Sequence, residues 1–163
     1  MIKLEKKLCF IGSKTVRSNL AGFSLLELVV VIALLGIITG VGLPYYQGFT
    51  VNLQLQGAAR DLASDLRYAQ QQAVTTQANH QVAFYISQNF YQVANASTGS
   101  LIKSRTIKSP ILLESTTLAS STAIFNATGA AISSGNIILS NSNGRHAVID
   151  VKPSGYVQIS LSN

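Results

Sequence analysis

Glu27 is the only ionisable side chain between Phe23 and Leu43, a stretch otherwise made of aliphatic residues, glycine, one Phe, one Ser and one Thr. A carboxylate deep in hydrocarbon costs about 2.5–3.5 kcal/mol, less near the interface, so an acid there calls for a cationic partner. It closes the run Gly22-Phe23-Ser24-Leu25-Leu26-Glu27. The other reactive groups offer less chemistry. His80 and His146 stand without a cysteine or a short-spaced acid, so no metal set is expected and exposed or strand-edge histidines are. Asp150, His146 and the abundant serines form no recognisable triad, and Gly40-Val41-Gly42 lacks the strand-to-helix context of a phosphate cradle. Neither catalysis nor a cofactor is expected of this chain.

Three elements must position Glu27. The first is a basic leader, residues 1–22, with Lys3, Lys6, Lys7, Lys14 and Arg17 against Glu5, which carries +4 of the formal +6. Most of the charge is therefore a topology signal rather than a footprint for nucleic acid, and it places the leader in the cytoplasm and the C-terminus outside. The second is an apolar helix within residues 23–49. Phe23 to Leu43 spans about 32 Å, enough for a hydrocarbon core of about 30 Å. Gly36 and Gly40 form a small-xxx-small pattern that admits a second helix closely. Pro44 removes a backbone donor and predicts a kink.

The third element is a head within residues 50–163. Leu55, Ala59, Leu62, Leu66, Ala69 and Ala73 recur at helical spacing, with Arg60, Asp61, Asp65 and Gln71 off that stripe, and the pattern stops near residues 77–79. One helix running from Phe23 would be roughly 80 Å long. Beyond Asn79 the period becomes two: strands are predicted over residues 82–86, 90–94, 101–107, 111–113, 136–140, 147–151 and 156–161, and residues 114–122 read as a loop. The only cysteine, Cys9, lies in the leader, so the head must stand on its core alone. The fold class is α+β, a long N-terminal helix packed on a small antiparallel sheet.

The run Gly22-Phe23-Ser24-Leu25-Leu26-Glu27, with its basic leader and apolar sequel, resembles the processing site of type IV pilins and type II secretion pseudopilins. Residues 62–74 of the helix, Phe125 to Gly129, Ile137 to Leu139 and Gly155-Tyr156-Val157 are similar to the GspH/FimT family. The resemblance implies cleavage between Gly22 and Phe23 by a prepilin peptidase and methylation of the new Phe23 amine. It implies pairing of Glu27 with that amine on a neighbouring subunit, and helix loosening between Gly36 and Pro44. It further implies a minor pseudopilin, a structural subunit anchored in the bacterial inner membrane with its head outside the cytoplasm. Its partners would be the peptidase, the membrane and other pilin-like subunits in a periplasmic or surface filament that serves protein export. The alternative is a minor pilin of a type IV or competence pilus. An ordinary secretory signal peptide cleaved near Gly40-Val41-Gly42 is the third reading; the apolar run exceeds a signal h-region and would hold Glu27 inside it. Some FimT-like proteins bind DNA through a Gly-Arg-x-Arg near the C-terminus. Here the matching residues are Gly155-Tyr156-Val157-Gln158, which leaves Lys103, Arg105 and Arg145 as weak candidates for DNA contact.

Overall fold

The computed structural model describes residues 22–162, with side chains for all but residues 41–47. Residues 1–21 of the expected leader, and the side chain of Pro44, lie outside the described residues. The chain divides into two compact units, residues 1–40 and 41–163.

Helix α1 runs from Leu25 to Thr76, and its first turn closes with the Leu28 amide donating to the Ser24 carbonyl at 3.1 Å. In the first unit every described side chain is exposed, from Phe23 (84% accessible) to Ile38 (67%). Among the described residues no helix is long and apolar enough to cross a membrane. The expected span is described only as far as Gly40, because the Val41, Gly42 and Leu43 side chains that would complete it are not.

In the second unit α1 buries Leu55, Ala59, Leu62, Ala63, Leu66, Ala69 and Ala73. Alanine and leucine favour the helix, and alanine lets a packed sheet approach closely. The helix ends where Gln77 takes a left-handed conformation (φ 53°), the Ala78 amide bonds back to the Ala73 carbonyl and the Gln77 amide side chain bonds to the Val74 carbonyl.

Eight strands follow: β1 (His80–Tyr85), β2 (Phe90–Asn95), β3 (Leu101–Thr106), β4 (Ile111–Thr116), β5 (Thr122–Phe125), β6 (Gly135–Asn141), β7 (His146–Val151) and β8 (Val157–Ser162). They form two antiparallel sheets rather than the one expected, ordered β3-β2-β1-β5 and β4-β6-β7-β8. The reason lies at Asn89, itself left-handed at φ 55°. Its side-chain amide donates to the Ile107 and Ile111 carbonyls and its oxygen accepts from the Leu113 amide, so the chain is turned out of the first sheet and into the second. Residues 114–122 are not a loop: β4 continues to Thr116, a 3-10 turn covers Ala119–Ser121, and β5 follows. A bulge between Leu113 and Ser115 breaks the alternation there, which hides the strand from a period-two reading.

The segments that resemble the family's tail meet on the helix. Gln70 Nε2 donates to the Gly129 carbonyl at 2.7 Å and Arg67 Nη2 to the Val157 carbonyl at 3.0 Å. Gly155 sits above them at φ 83°, where a Cβ would lie 2.0 Å from the Gly129 carbonyl oxygen and 2.3 Å from Gln70 Nε2. Gly99 is also left-handed (φ 70°), but open space surrounds it. Gly155→Ala should therefore cost about 3 kcal/mol or more, and Gly99→Ala about 1 kcal/mol, read as separate shifts in the thermal midpoint. Equal shifts for the two variants would show that the close approach at Gly155 is not what holds the tail.

Candidate assembly site and the buried lock of the head

The first turn of α1 carries Glu27. Phe23 lies four residues earlier, outside the helix and exposed, and Glu27 has no ion-pair partner among the described residues. A carboxylate at a helix N-terminus faces the positive end of the peptide dipoles. Gly36 and Gly40 are both open, with nothing within 4 Å of a built Cβ. Among the described residues the first unit therefore presents an exposed apolar helix with one charge at its start.

The second unit shows the opposite treatment of an acid. Asp65, expected off the helix stripe, is buried with 3% of its surface accessible. Its Oδ1 accepts from Lys103 Nζ at 2.5 Å; its Oδ2 accepts from the Tyr91 hydroxyl at 2.7 Å and lies 3.1 Å from Arg105 Nε. One turn earlier, Asp61 Oδ2 pairs with Arg105 Nη1 at 2.6 Å. The spacing is the cause: residues four apart share a helix face, residues two apart share a strand face, and the two pairs meet. Burial, then the bond to Asp65, holds the Tyr91 hydroxyl protonated well beyond the ordinary tyrosine range. A cleft of about 530 Å³ opens beside this lock, with Gln54 and Ala58 on one wall and Lys108 and Ile111 on the other.

The three candidate DNA contacts are thus not one patch. Lys103 and Arg105 face inward to the two aspartates, whereas Arg145 stands in the β6–β7 turn, where its amide bonds to the Asn141 side chain. One histidine, His80, departs from expectation too. His80 is buried, with Nδ1 3.0 Å from the Ala78 carbonyl, and His146 meets Glu114 at 2.8 Å across the outer face of the second sheet. Sequence reasoning missed Glu114 because it is 32 residues away from His146 and reaches it only through strand pairing. At the tail, Tyr156 is exposed with Lys152 Nζ 5.9 Å from its ring centre. Among the described residues no group of three His, Cys, Asp or Glu side chains could hold a metal.

A long N-terminal helix carrying an antiparallel head is the fold of pilin-like filament subunits. The type IV minor pilin FimU of Pseudomonas aeruginosa superposes with a TM-score of 0.55 at 18% identity, covering 69% of this chain and 92% of that one. The minor pseudopilin EpsH of the Vibrio cholerae type 2 secretion system superposes with a TM-score of 0.54 at 11% identity, covering 66% and 96%. No curated protein matches the chain. Residues 17–43 match the prokaryotic N-terminal methylation motif, and residues 58–155 match the family described as type II transport protein GspH. The chain belongs to that family. It is a pseudopilin of the type II secretion class, structural rather than enzymatic, made as a prepilin anchored in the inner membrane.

Removing Asp65 strands Lys103 and a buried hydroxyl and leaves Arg105 with Asp61 alone, so Asp65→Ala should cost about 3 kcal/mol. Asp61, 61% exposed, should cost under about 1 kcal/mol on the same change. Denaturant titration of both variants checks this, and equal losses would refute the lock. The Tyr91 shift also has a pH consequence. The unfolded chain loses that proton near the ordinary value of 10.0 while the folded chain keeps it. Its contribution is full below that pH and declines as pH rises beyond it. Tyr91→Phe should flatten the alkaline loss of stability, and an unchanged slope would contradict the assignment.

Proposed function

We propose that this chain is cut between Gly22 and Phe23 at the cytoplasmic face and N-methylated on Phe23. The matured subunit then enters a type II secretion pseudopilus through α1, at or near the tip, with its head outside the cytoplasm. The supporting observation is the exposed Glu27 in the first helical turn, four residues beyond Phe23, with no partner among the described residues. A new α-amine has a reference pKa of about 7.7–8.0 and is largely cationic near neutrality. The Phe23 amine of an adjoining subunit is the partner that an acid at membrane depth requires.

Such a pair adds little over apolar packing, yet leaving one member alone costs about 3–5 kcal/mol, so its role is register. Gly36, Gly40 and Pro44 serve the same assembly by close helix approach and a loosened backbone. The partners are the prepilin peptidase, the membrane and other pilin-like subunits. Nucleic acid is not among them, because Lys103 and Arg105 are already spent on Asp65 and Asp61. The likeness to FimU favours one second reading, a minor pilin of a type IV pilus. Deletion separates the two: lost exoprotein export supports the first, and lost twitching or DNA uptake the second.

Mass spectrometry of native material should find a chain beginning at methylated Phe23, and any other terminus refutes the reading. Glu27→Val should still be inserted and cleaved, yet its share of filaments should fall about a hundredfold. Wild-type incorporation of that variant would remove the pairing role.

A further inference from the structure

The outer faces of the two sheets differ in kind. On the second sheet Glu114, His146 and Asp150 point away from the core beside Gln158, Ser160 and the apolar Leu112, Ile138 and Val148, so that face carries charge. On the first sheet the alternation of buried residues assigns the outer face to Gln81, Ala83 and Tyr85 of β1 and to Phe90, Gln92 and Ala94 of β2. Ile102, Ser104 and Thr106 of β3 and Thr122 and Ile124 of β5 complete it. None of these carries a charge. The two cations of β3 are turned inward to Asp61 and Asp65. Tyr85 and Phe90, paired across β1 and β2, stack with ring centres 4.4 Å apart and planes 8° apart. Exposed Ile86 and Leu101 lie at its margin.

Charge depletion with aromatic enrichment is the composition of the core of a protein interface rather than of a free surface. It is also the wrong composition for an anionic ligand, since nothing on the face offers a cation to phosphate. Size narrows the occupant. Four strands at about 4.8 Å spacing and six residues at about 3.4 Å each give a footprint of about 400 Å². A stable interface between free proteins buries about 800 Å² of accessible surface per partner, more than one sheet face of that footprint supplies. A second soluble copy would not be held there. A subunit already tethered by its helix in the same filament would be, because tethering converts head contact into an intramolecular event at high effective concentration.

We propose that the outer face of the β3-β2-β1-β5 sheet docks the head of a different pilin-like subunit in the filament, through a matching uncharged surface. The proposal rests on the filament reading above. Within that reading the Glu27 pair sets where the helix sits, and this face selects which neighbour stands beside the head. A charge brought into such a contact loses its water without gaining a partner.

The test uses the full chain, expressed in its own cells with the other subunits. A photo-cross-linking residue in place of Ser104, on the outer face of the first sheet, should yield an adduct with a second chain bearing the N-terminal methylation motif. The same residue in place of Ser160, on the outer face of the second sheet, should yield about tenfold less. Ser104→Glu should lower incorporation into filaments about tenfold with the thermal midpoint unchanged, and Ser160→Glu should leave both unchanged. Equal adducts from both faces, adducts only with a second copy of this chain, or none with a pilin-like chain would overturn the proposal. Retention of the detergent-solubilised full chain on neutral polysaccharide, abolished by Tyr85→Ala, would overturn it in favour of a sugar-binding face. The two levels separate at the N-terminus. A mature end other than methylated Phe23 brings down the filament reading and this one with it. A correct end without a Ser104 adduct brings down this one alone.

Discussion

Eight strands in two sheets close against a single helix face, and no disulfide helps them, because the only cysteine precedes Gly22. That constraint explains the composition of the stripe. Ala59, Ala63, Ala69 and Ala73 are fully buried, while Leu55, Leu62 and Leu66 fill the core beside them. A bulkier stripe would push the sheets away from the helix. The turns obey the same geometry: at Gly155 the chain passes so close to Gly129 and Gln70 that no side chain fits. Residues scattered from 62 to 157 in the chain are thus parts of one close-packed contact.

Apolar packing alone does not say which way a sheet lies across a helix, since an alanine stripe offers little relief. Asp65 supplies that direction. With Lys103, Arg105 and Tyr91 all directed at one buried carboxylate, a shift of β3 by one residue would turn both cations away and leave the acid unpaired. The energetic worth of such a network over hydrophobic replacements is small, whereas the cost of a wrong register is large. Its contribution is therefore to uniqueness more than to depth of the native state. A consequence follows for the surface: cations committed inward leave the outer face of the same strands neutral.

The helix, its stop before Asn79 and most strands were legible because each rests on a local period or turn. The β6–β7 hairpin shows why: Asn143 and Gly144 mark the turn, and the Asn141 side chain accepts from the Asn143 and Arg145 amides within it. The division into two sheets was not legible, since it depends on one Asn89 side chain reaching residues 18 to 24 positions away. Asp65 was misjudged for a related reason. A charged residue beside an apolar stripe reads as solvated until its partners, 26 and 38 residues downstream, are folded onto it. The strand from Thr122 to Phe125 is short and follows a residue of positive φ, Ser121, which makes it look like loop. The candidate pairing residue, by contrast, was readable at once. An acid in an apolar run is conspicuous in one dimension.

Glu27 and Asp65 pose the same problem with opposite answers. Both are carboxylates on α1, one at the start of an apolar segment and the other buried in the head. Asp65 finds three partners inside its own chain, so its energy is settled when the head folds. Glu27 has none among the described residues, and in the filament reading proposed above its partner is the Phe23 amine of an adjoining subunit. An ion pair stabilises little when complete and penalises strongly when broken, and that asymmetry gives the two sites different uses. Inside one chain it enforces a single register of strand on helix. Between chains it makes an isolated subunit the costly state and a correctly matched one the relieved state. A fold can then form independently while assembly remains conditional on a neighbour that presents the right charge at the right depth.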